Sequence, residues 1–424
     1  MKCLRASLFL AAVLLPMVRL EAQNVVTDWN TIASTTIVTN GGKASVASGV
    51  WFAYTSIAVY DAVNAVHRMY QPFYYSGFAP AGASDQAAAV AAAHRILVNY
   101  FPAQQADLDA AFSRSSNAIM ASAQAKADGI ATGEAAAAAL IASRAGDGLE
   151  ANVPYSPGTG PGIWQPTPPG FLPPLTPWLG QMRPFIMKSP AQFLPDGPTA
   201  LTSEEWVAEL NATRLFGDVN STIRTPAQSE IGRFWAVHTG QQYGRAFVYL
   251  AANYRLDVMN SARLLAMLWT GYADAGIACW NAKYTYSFWR PVTAIRAGGN
   301  SELTADTNWT SLGTTPNHPE YPAAHGCATG VTSSLVENFF GTRRVRVVVD
   351  STAFSDGVHT HTFFSTADWY HEVYWARIFA GFHFDHSLVD GGAIGRQVAA
   401  QLVSKHFRRG QRQGENENHD QDDR

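Results

Sequence analysis

Three short stretches of the chain hold cations and histidines at spacings suited to a tetrahedral oxyanion. They are Lys283-Tyr-Thr-Tyr-Ser-Phe-Trp-Arg290-Pro291, Tyr321-Pro-Ala-Ala-His325-Gly and Ala376-Arg377-Ile-Phe-Ala-Gly-Phe-His383. Together they supply three permanent positive charges and two imidazoles. Such a set can bind phosphate or vanadate and then move protons on it. On one helix the seven-residue spacing puts Lys283 and Arg290 on a common face, and Pro291 ends that helix. The aromatic residues between them make a poor solvated face, so the cations should be partly buried and need an anionic partner. No carboxylate lies between Ala282 and Arg296. The partner is therefore either an external anion or a carboxylate from elsewhere in the fold.

In the second stretch a helix begins at about Gly326, so the amides of Ala324 and His325 fall near its N-terminus, where free N–H groups attract anions. His325 is then placed as an acid or base; alternatively it is a capping or packing residue, or His318 takes its place. In the third, a helix ending near Gly381 leaves His383 at its mouth, and Arg377 offers a planar fork suited to an oxyanion. His383 is either a functional group or a core histidine.

The elements that must position these residues read as mostly helical. Ala-rich, breaker-poor runs predict helices over 86–100 and 106–145. Helical periodicity marks 204–215, 228–239, 244–256, 260–279, 331–340, 368–382 and 393–406. Only 345–349 reads as a short strand. Residues 149–198 are dense in Pro and Gly. They form either a flexible linker or an ordered arm, and Trp164, Phe171, Leu172, Trp178 and Phe185 favour the arm. Residues 408–424 are a polar tail expected to be disordered.

With 424 residues, 47% of them hydrophobic, the chain can bury a large core. Only 15% are charged, with a net charge of −3, which gives no nucleic-acid footprint. Lys2 and Arg5, the apolar run Leu8 to Val18 and a cleavage point after Ala22 read as a signal peptide over 1–22. The apolar run is shorter than the ~20 residues that span a bilayer. The mature chain is expected to be secreted or periplasmic, without a membrane span. It keeps Cys279 and Cys327, as a disulfide or as two buried thiols. Asn211, Asn220 and Asn308 head glycosylation patterns that act only in a eukaryotic secretory pathway.

The ordered set Lys-x6-Arg-Pro, Pro-x-x-His-Gly and Arg-x5-His resembles the vanadium-dependent haloperoxidase and type-2 phosphatidic-acid phosphatase superfamily. Trp280-Asn-Ala-Lys-Tyr, Phe288-Trp-Arg-Pro-Val-Thr-Ala-Ile-Arg and Pro316-Asn-His-Pro-Glu-Tyr-Pro are similar to its soluble haloperoxidase-like branch. The resemblance implies an all-α fold of helical bundles over 23–407, with the 149–198 arm inside it. It implies that Lys283, Arg290, Arg377 and the Ala324 amide hold the oxygens of vanadate or phosphate. His325 becomes the acid–base group, and His383 the ligand to vanadium, the only metal-binding residue. The implied function is vanadate-dependent oxidation of halide by hydrogen peroxide. The alternatives are a phosphatase in which His383 attacks a phosphate ester, and a non-catalytic oxyanion-binding protein. The family's second motif usually reads Pro-Ser-Gly-His; here Ala323 and Ala324 replace Ser and Gly. The family often carries an Asp four residues after the last His to orient it; here Ser387 stands there, with Asp385 and Asp390 as substitutes.

Overall fold

The computed structural model describes residues 24–300 and 303–410; the expected signal peptide and nearly all of the polar tail lie outside the described residues. The N-terminal half holds α1 (Val25–Ser34, running on as a π-helical turn), α2 (Ser48–His67), α3 (Asp85–Tyr100), α4 (Gln105–Ala118) and α5 (Ala123–Ser143). The C-terminal half holds α6 (Glu204–Gly217), α7 (Pro226–Phe234), α8 (Thr239–Asn253), α9 (Val258–Tyr286), α10 (Pro291–Ala297) and α11 (Ala324–Phe340). A hairpin of β1 (Val347–Phe354) and β2 (Gly357–Phe363) follows, then α12 (Thr366–Phe379) and α13 (Asp385–Lys405). Among the described residues the fold is all-α apart from this antiparallel pair.

α2 and α9 pack against each other and are apolar nearly all round, as helices at the centre of a core must be. Each carries one buried carboxylate that gathers three consecutive amides. Asp61 accepts from Phe73, Tyr74 and Tyr75, and Asp274 from Phe185, Ile186 and Met187. These bonds satisfy backbone that has no helical partner and fasten two irregular segments to the core.

The 149–198 segment is an ordered arm. Trp164, Trp178 and Phe185 are buried, whereas Phe171 and Leu172 stay exposed, against the expectation for those two. The expected helix over 106–145 breaks at 119–122: Ile119 turns to an extended conformation, and Ser122 caps the next helix through Ala125 N–H. The helix expected over 228–239 starts at Pro226 and ends at Phe234, and His238 caps α8. The strand expected at 345–349 extends to Phe354 and has a partner, β2, that periodicity did not mark. The helices over 25–67 were also not read from the sequence.

α11 and α13 lie close along their lengths, because glycines stand at the crossing. A Cβ on Gly391 would come within 2.5 Å of the Ala323 carbonyl and 3.2 Å of the Cys327 amide. This close approach sets the start of α11 against the start of α13, and both helix starts carry site residues.

Candidate oxyanion site

Lys283 and Arg290 do not share a helix, contrary to the expectation from their spacing. α9 ends at Tyr286, and Ser287 takes a left-handed conformation (φ 48°) while its N–H closes on Lys283 O at 2.8 Å. Arg290 is the N-cap of α10, and Pro291 opens that helix instead of ending the previous one. The arm pins the intervening turn: Trp164 N–H donates to Ser287 O (2.7 Å), and Trp289 N–H donates to Gly162 O (3.0 Å). Phe288 and Trp289 pack with Trp206 in an apolar cluster, so their large rings are core.

The loop before α11 receives both cations. Lys283 Nζ donates to the carbonyls of Pro319 (2.9 Å), Glu320 (2.8 Å) and Pro322 (2.5 Å), which engages all three of its protons. Arg290 donates from Nε to His318 O (2.9 Å) and from Nη1 to Phe382 O (3.0 Å). Its Nη1 also lies 3.3 Å from His383 Nε2, and its Nη2 lies against the His318 ring. Arg377, inward on α12, donates from Nη1 to Trp235 O (2.8 Å); its Nε is buried with no partner. Burial lowers all three cations, Lys283 to about 8, Arg290 to about 10 and Arg377 to about 9. Among the described residues none of the three forms an ion pair with a carboxylate, and Glu320, the carboxylate that acts on Lys283 and Arg290 from a distance, leaves the site with an excess of positive charge.

The group that orients His383 is one the sequence reading missed. Glu320, fully buried, accepts from His383 Nδ1 (2.8 Å) and from Phe384 N–H (3.0 Å) on one oxygen, and from the Ser387 hydroxyl (2.9 Å) on the other. The expected substitutes are engaged elsewhere: Asp385 accepts from Tyr374 and Asp390 from Tyr321. Ser387 thus keeps a place at the site by holding the carboxylate that does the orienting. Burial, then the charges of Arg290, Lys283 and Arg377, hold the His383 pKa well below its ordinary value. The ring is neutral, donates a hydrogen bond from Nδ1–H to Glu320, and keeps a lone pair on Nε2. A Glu in a Pro-rich loop two residues after a histidine was the signal available, and nothing local marks it as inward-facing.

α11 begins at Ala324, with Ala323 as an N-cap that has no side-chain hydrogen bond, and its whole first turn is buried. A buried helix start without a cap leaves amide donors that a ligand must satisfy. His325, the second residue of that turn, lies beside the Trp235 carbonyl, is held neutral by burial and by Arg377, and leaves a buried Nε2 without a partner. His318 is likewise kept neutral, by burial and Arg290, and its ring faces Trp280. Cys279 and Cys327 are free buried thiols, not a disulfide, and Cys279 Sγ donates to the Pro322 carbonyl at 3.6 Å.

The three stretches therefore meet. Lys283, Arg290 and Arg377 all act electrostatically on both His325 and His383. The donor set fits a multiply charged oxyanion: an uncapped helix start, an orphaned guanidinium Nε, and two neutral imidazoles, one with an orphaned nitrogen. Residues 263–411 match the family model of the VCPO second helical-bundle domain. The fold is that of vanadium-dependent haloperoxidases: a bacterial vanadium-dependent iodoperoxidase superposes with a TM-score of 0.78 at 22% identity, covering 91% of this chain and 97% of that one. A holo-type bacterial vanadium-dependent chloroperoxidase gives 0.72 at 16%, covering 92% and 98%. By sequence, the chain is 26% identical to the vanadium chloroperoxidase of Curvularia inaequalis over 39% of its own length, and the match spans only 33% of that protein.

Proposed function

We propose that this protein is a vanadate-dependent haloperoxidase that oxidises halide with hydrogen peroxide. The observation that carries the reading is the buried, uncapped start of α11 beside two orphaned nitrogens, His325 Nε2 and Arg377 Nε, and a neutral His383. His383 Nε2 would hold the metal, with Glu320 fixing the tautomer that leaves that nitrogen unprotonated. The amides of Ala324 and His325 and the Arg377 guanidinium would bind its oxygens. Lys283 and Arg290 act mainly through their charge, since carbonyls already take most of their protons. When bound, vanadate supplies a Lewis-acidic centre on which hydrogen peroxide becomes electrophilic toward halide. His325 Nε2 is the base that accepts the proton from the incoming peroxide.

The test is halide oxidation by peroxide with and without added vanadate. Activity that requires vanadate supports the proposal. Ester hydrolysis that vanadate inhibits would replace it with the phosphatase reading, and binding without either activity would leave an anion-binding protein. We also propose export to the periplasm or outside the cell, on the basic, apolar and small-residue order of residues 1–22. An N-terminal peptide beginning at Gln23 in the extracytoplasmic fraction supports this, and an intact N-terminus in the cytosol refutes it.

A further inference from the structure

Trp235 stands between the site and a chain of paired carboxylates and imidazoles on the outer side of α7 and α12. Its carbonyl accepts from Arg377 Nη1 at 2.8 Å and lies beside the His325 ring. Two of the groups assigned to the oxyanion therefore adjoin one backbone atom. Trp235 is the C-cap of α7, its N–H still bonded to the Ile231 carbonyl, and its side chain is completely buried. The indole Nε1 donates to Glu372 Oε1 at 2.9 Å. The same oxygen accepts from His361 Nδ1 at 2.6 Å, and His361 Nε2 lies 3.2 Å from Glu230 Oε2. Glu230 also meets His359 Nδ1 at 3.2 Å, and His359 Nε2 meets Asp356 at 3.1 Å.

We propose that Trp235 is a positioning residue for the oxyanion site, and that the Glu230–His361–Glu372 chain anchoring its indole sets how firmly Arg377 and His325 are held. Both ring nitrogens of His361 face carboxylate oxygens, a setting that an imidazolium satisfies on both sides and a neutral ring on one side only. Its ring stacks on Phe234 at 3.8 Å, in the residue before Trp235. The charged groups facing it are Glu230 from α7 and Glu372 from α12; His359, on its own strand, shares Glu230. Burial opposes the charge on His361, but the two carboxylates outweigh it and raise the pKa. When His361 loses its proton, one nitrogen becomes an acceptor facing a carboxylate. The chain then opens, and Glu372 no longer bears firmly on the indole.

The inference rests on the proposed oxyanion site, and binding separates the two. Vanadate dissociation constants are measured by equilibrium dialysis from about pH 5.5 to about pH 9, a range spanning histidine titration. The full chain is compared with Trp235→Phe, which keeps a ring and removes the indole donor, and with His361→Gln. Ratios of variant to parent cancel the protonation of vanadate itself. Both variants should bind about tenfold more weakly at the acid end, the size expected for losing a supporting hydrogen bond around a metal site. The ratios should approach one at the alkaline end, where the chain opens in the parent as well. A ratio of one throughout, or a loss equal at every pH, overturns the inference. If Trp235→Phe does not fold, His361→Gln, whose ring is partly exposed, carries the same test. A parent that binds no vanadate removes the oxyanion site and this inference together; a parent that binds while both variants match it removes the inference alone.

Discussion

Glu320→Gln puts two opposing effects on one atom and shows which governs the site. The carboxylate lies behind His383, with the imidazole between it and the position of the bound oxyanion. At a separation of about 7 Å and an effective dielectric of about 20, its repulsion of a unit negative charge is about 2 kcal/mol. Removing it should tighten a simple oxyanion by about thirtyfold for each unit of negative charge it carries. The same change deprives His383 Nδ1–H of a charged acceptor, so Nε2 becomes a poorer donor to a metal. Loss of such a partner costs about 10–100-fold in metal affinity. Gln is nearly isosteric: its amide oxygen can keep the bonds from His383 and Phe384, and its NH2 can face the Ser387 hydroxyl. Sulfate, which makes no bond to His383, feels only the first effect and should bind more tightly. Vanadate feels both and should change little. The vanadate-to-sulfate affinity ratio, read by titration calorimetry, should therefore fall about 10–100-fold. Ser387→Ala removes one hydrogen bond of about 1 kcal/mol and leaves the charge, so its ratio should move by less than about tenfold. An unchanged ratio in Glu320→Gln would show that this carboxylate does not tune His383 as a ligand.

Further outcomes test the frame around the site. Asp274→Asn turns an amide NH2 toward at least one backbone donor of the arm, the Phe185 N–H when the amide oxygen keeps Ile186 and Met187, and one unsatisfied amide at about 1–3 kcal/mol should lower the urea midpoint; a loss below about 0.5 kcal/mol would refute the anchoring role. Gly391→Ala forces a methyl group onto the Ala323 carbonyl and should cost about 1–3 kcal/mol, with weaker vanadate binding because the start of α11 shifts; unchanged stability and affinity would refute the close-packing argument. Sulfate keeps a fixed charge in alkaline solution, so its affinity reports the cations. Lys283 has a folded pKa of about 8, below its ordinary value, and loses its charge first as pH rises. Sulfate binding should decline through about pH 8, and Lys283→Arg should move that decline to higher pH; a flat profile for the parent would refute it.

The helical class and the three site stretches were legible because they rest on local signals. Ala-rich runs report helix propensity directly, and cations set among aromatic residues report burial without a nearby carboxylate. What was missed depends on contacts far apart in sequence. The break between Lys283 and Arg290 exists because the arm captures the 287–289 turn through Trp164 and Gly162, more than a hundred residues earlier. Periodicity continues through Tyr286 and cannot register that capture. α2 was not marked because a helix buried on all sides has no polar stripe to reveal its period. β2, Gly-Val-His-Thr-His-Thr-Phe, alternates, but its inward partners are the charged side chains of α7 and α12, which no hydrophobic pattern signals.

Glu320 explains why Ser387 and Ala323 do not leave the site incomplete. An orienting carboxylate on the helix after His383 would move with α13, whereas Glu320 belongs to the 316–322 loop. Its backbone carbonyl is one of the three that hold Lys283, and the His318 carbonyl in the same loop holds Arg290. The loop also takes Asn317 onto the arm through Pro173. One short segment thus sets the tautomer of His383, orders two cations and leads directly into the uncapped start of α11. With Ala323 offering no hydroxyl, that helix start has only amides to present, so the anion must draw more of its hold from Arg377 and from the His383 bond. This concentrates affinity on the metal-ligand bond, and a site built so should discriminate vanadate from sulfate more strongly than one with a hydroxyl at residue 323. Ala323→Ser should therefore raise sulfate affinity by about the few-fold worth of one hydrogen bond, with a smaller proportional gain for vanadate. Equal gains for both anions in calorimetry would show that the hydroxyl position is not what the substitution changed.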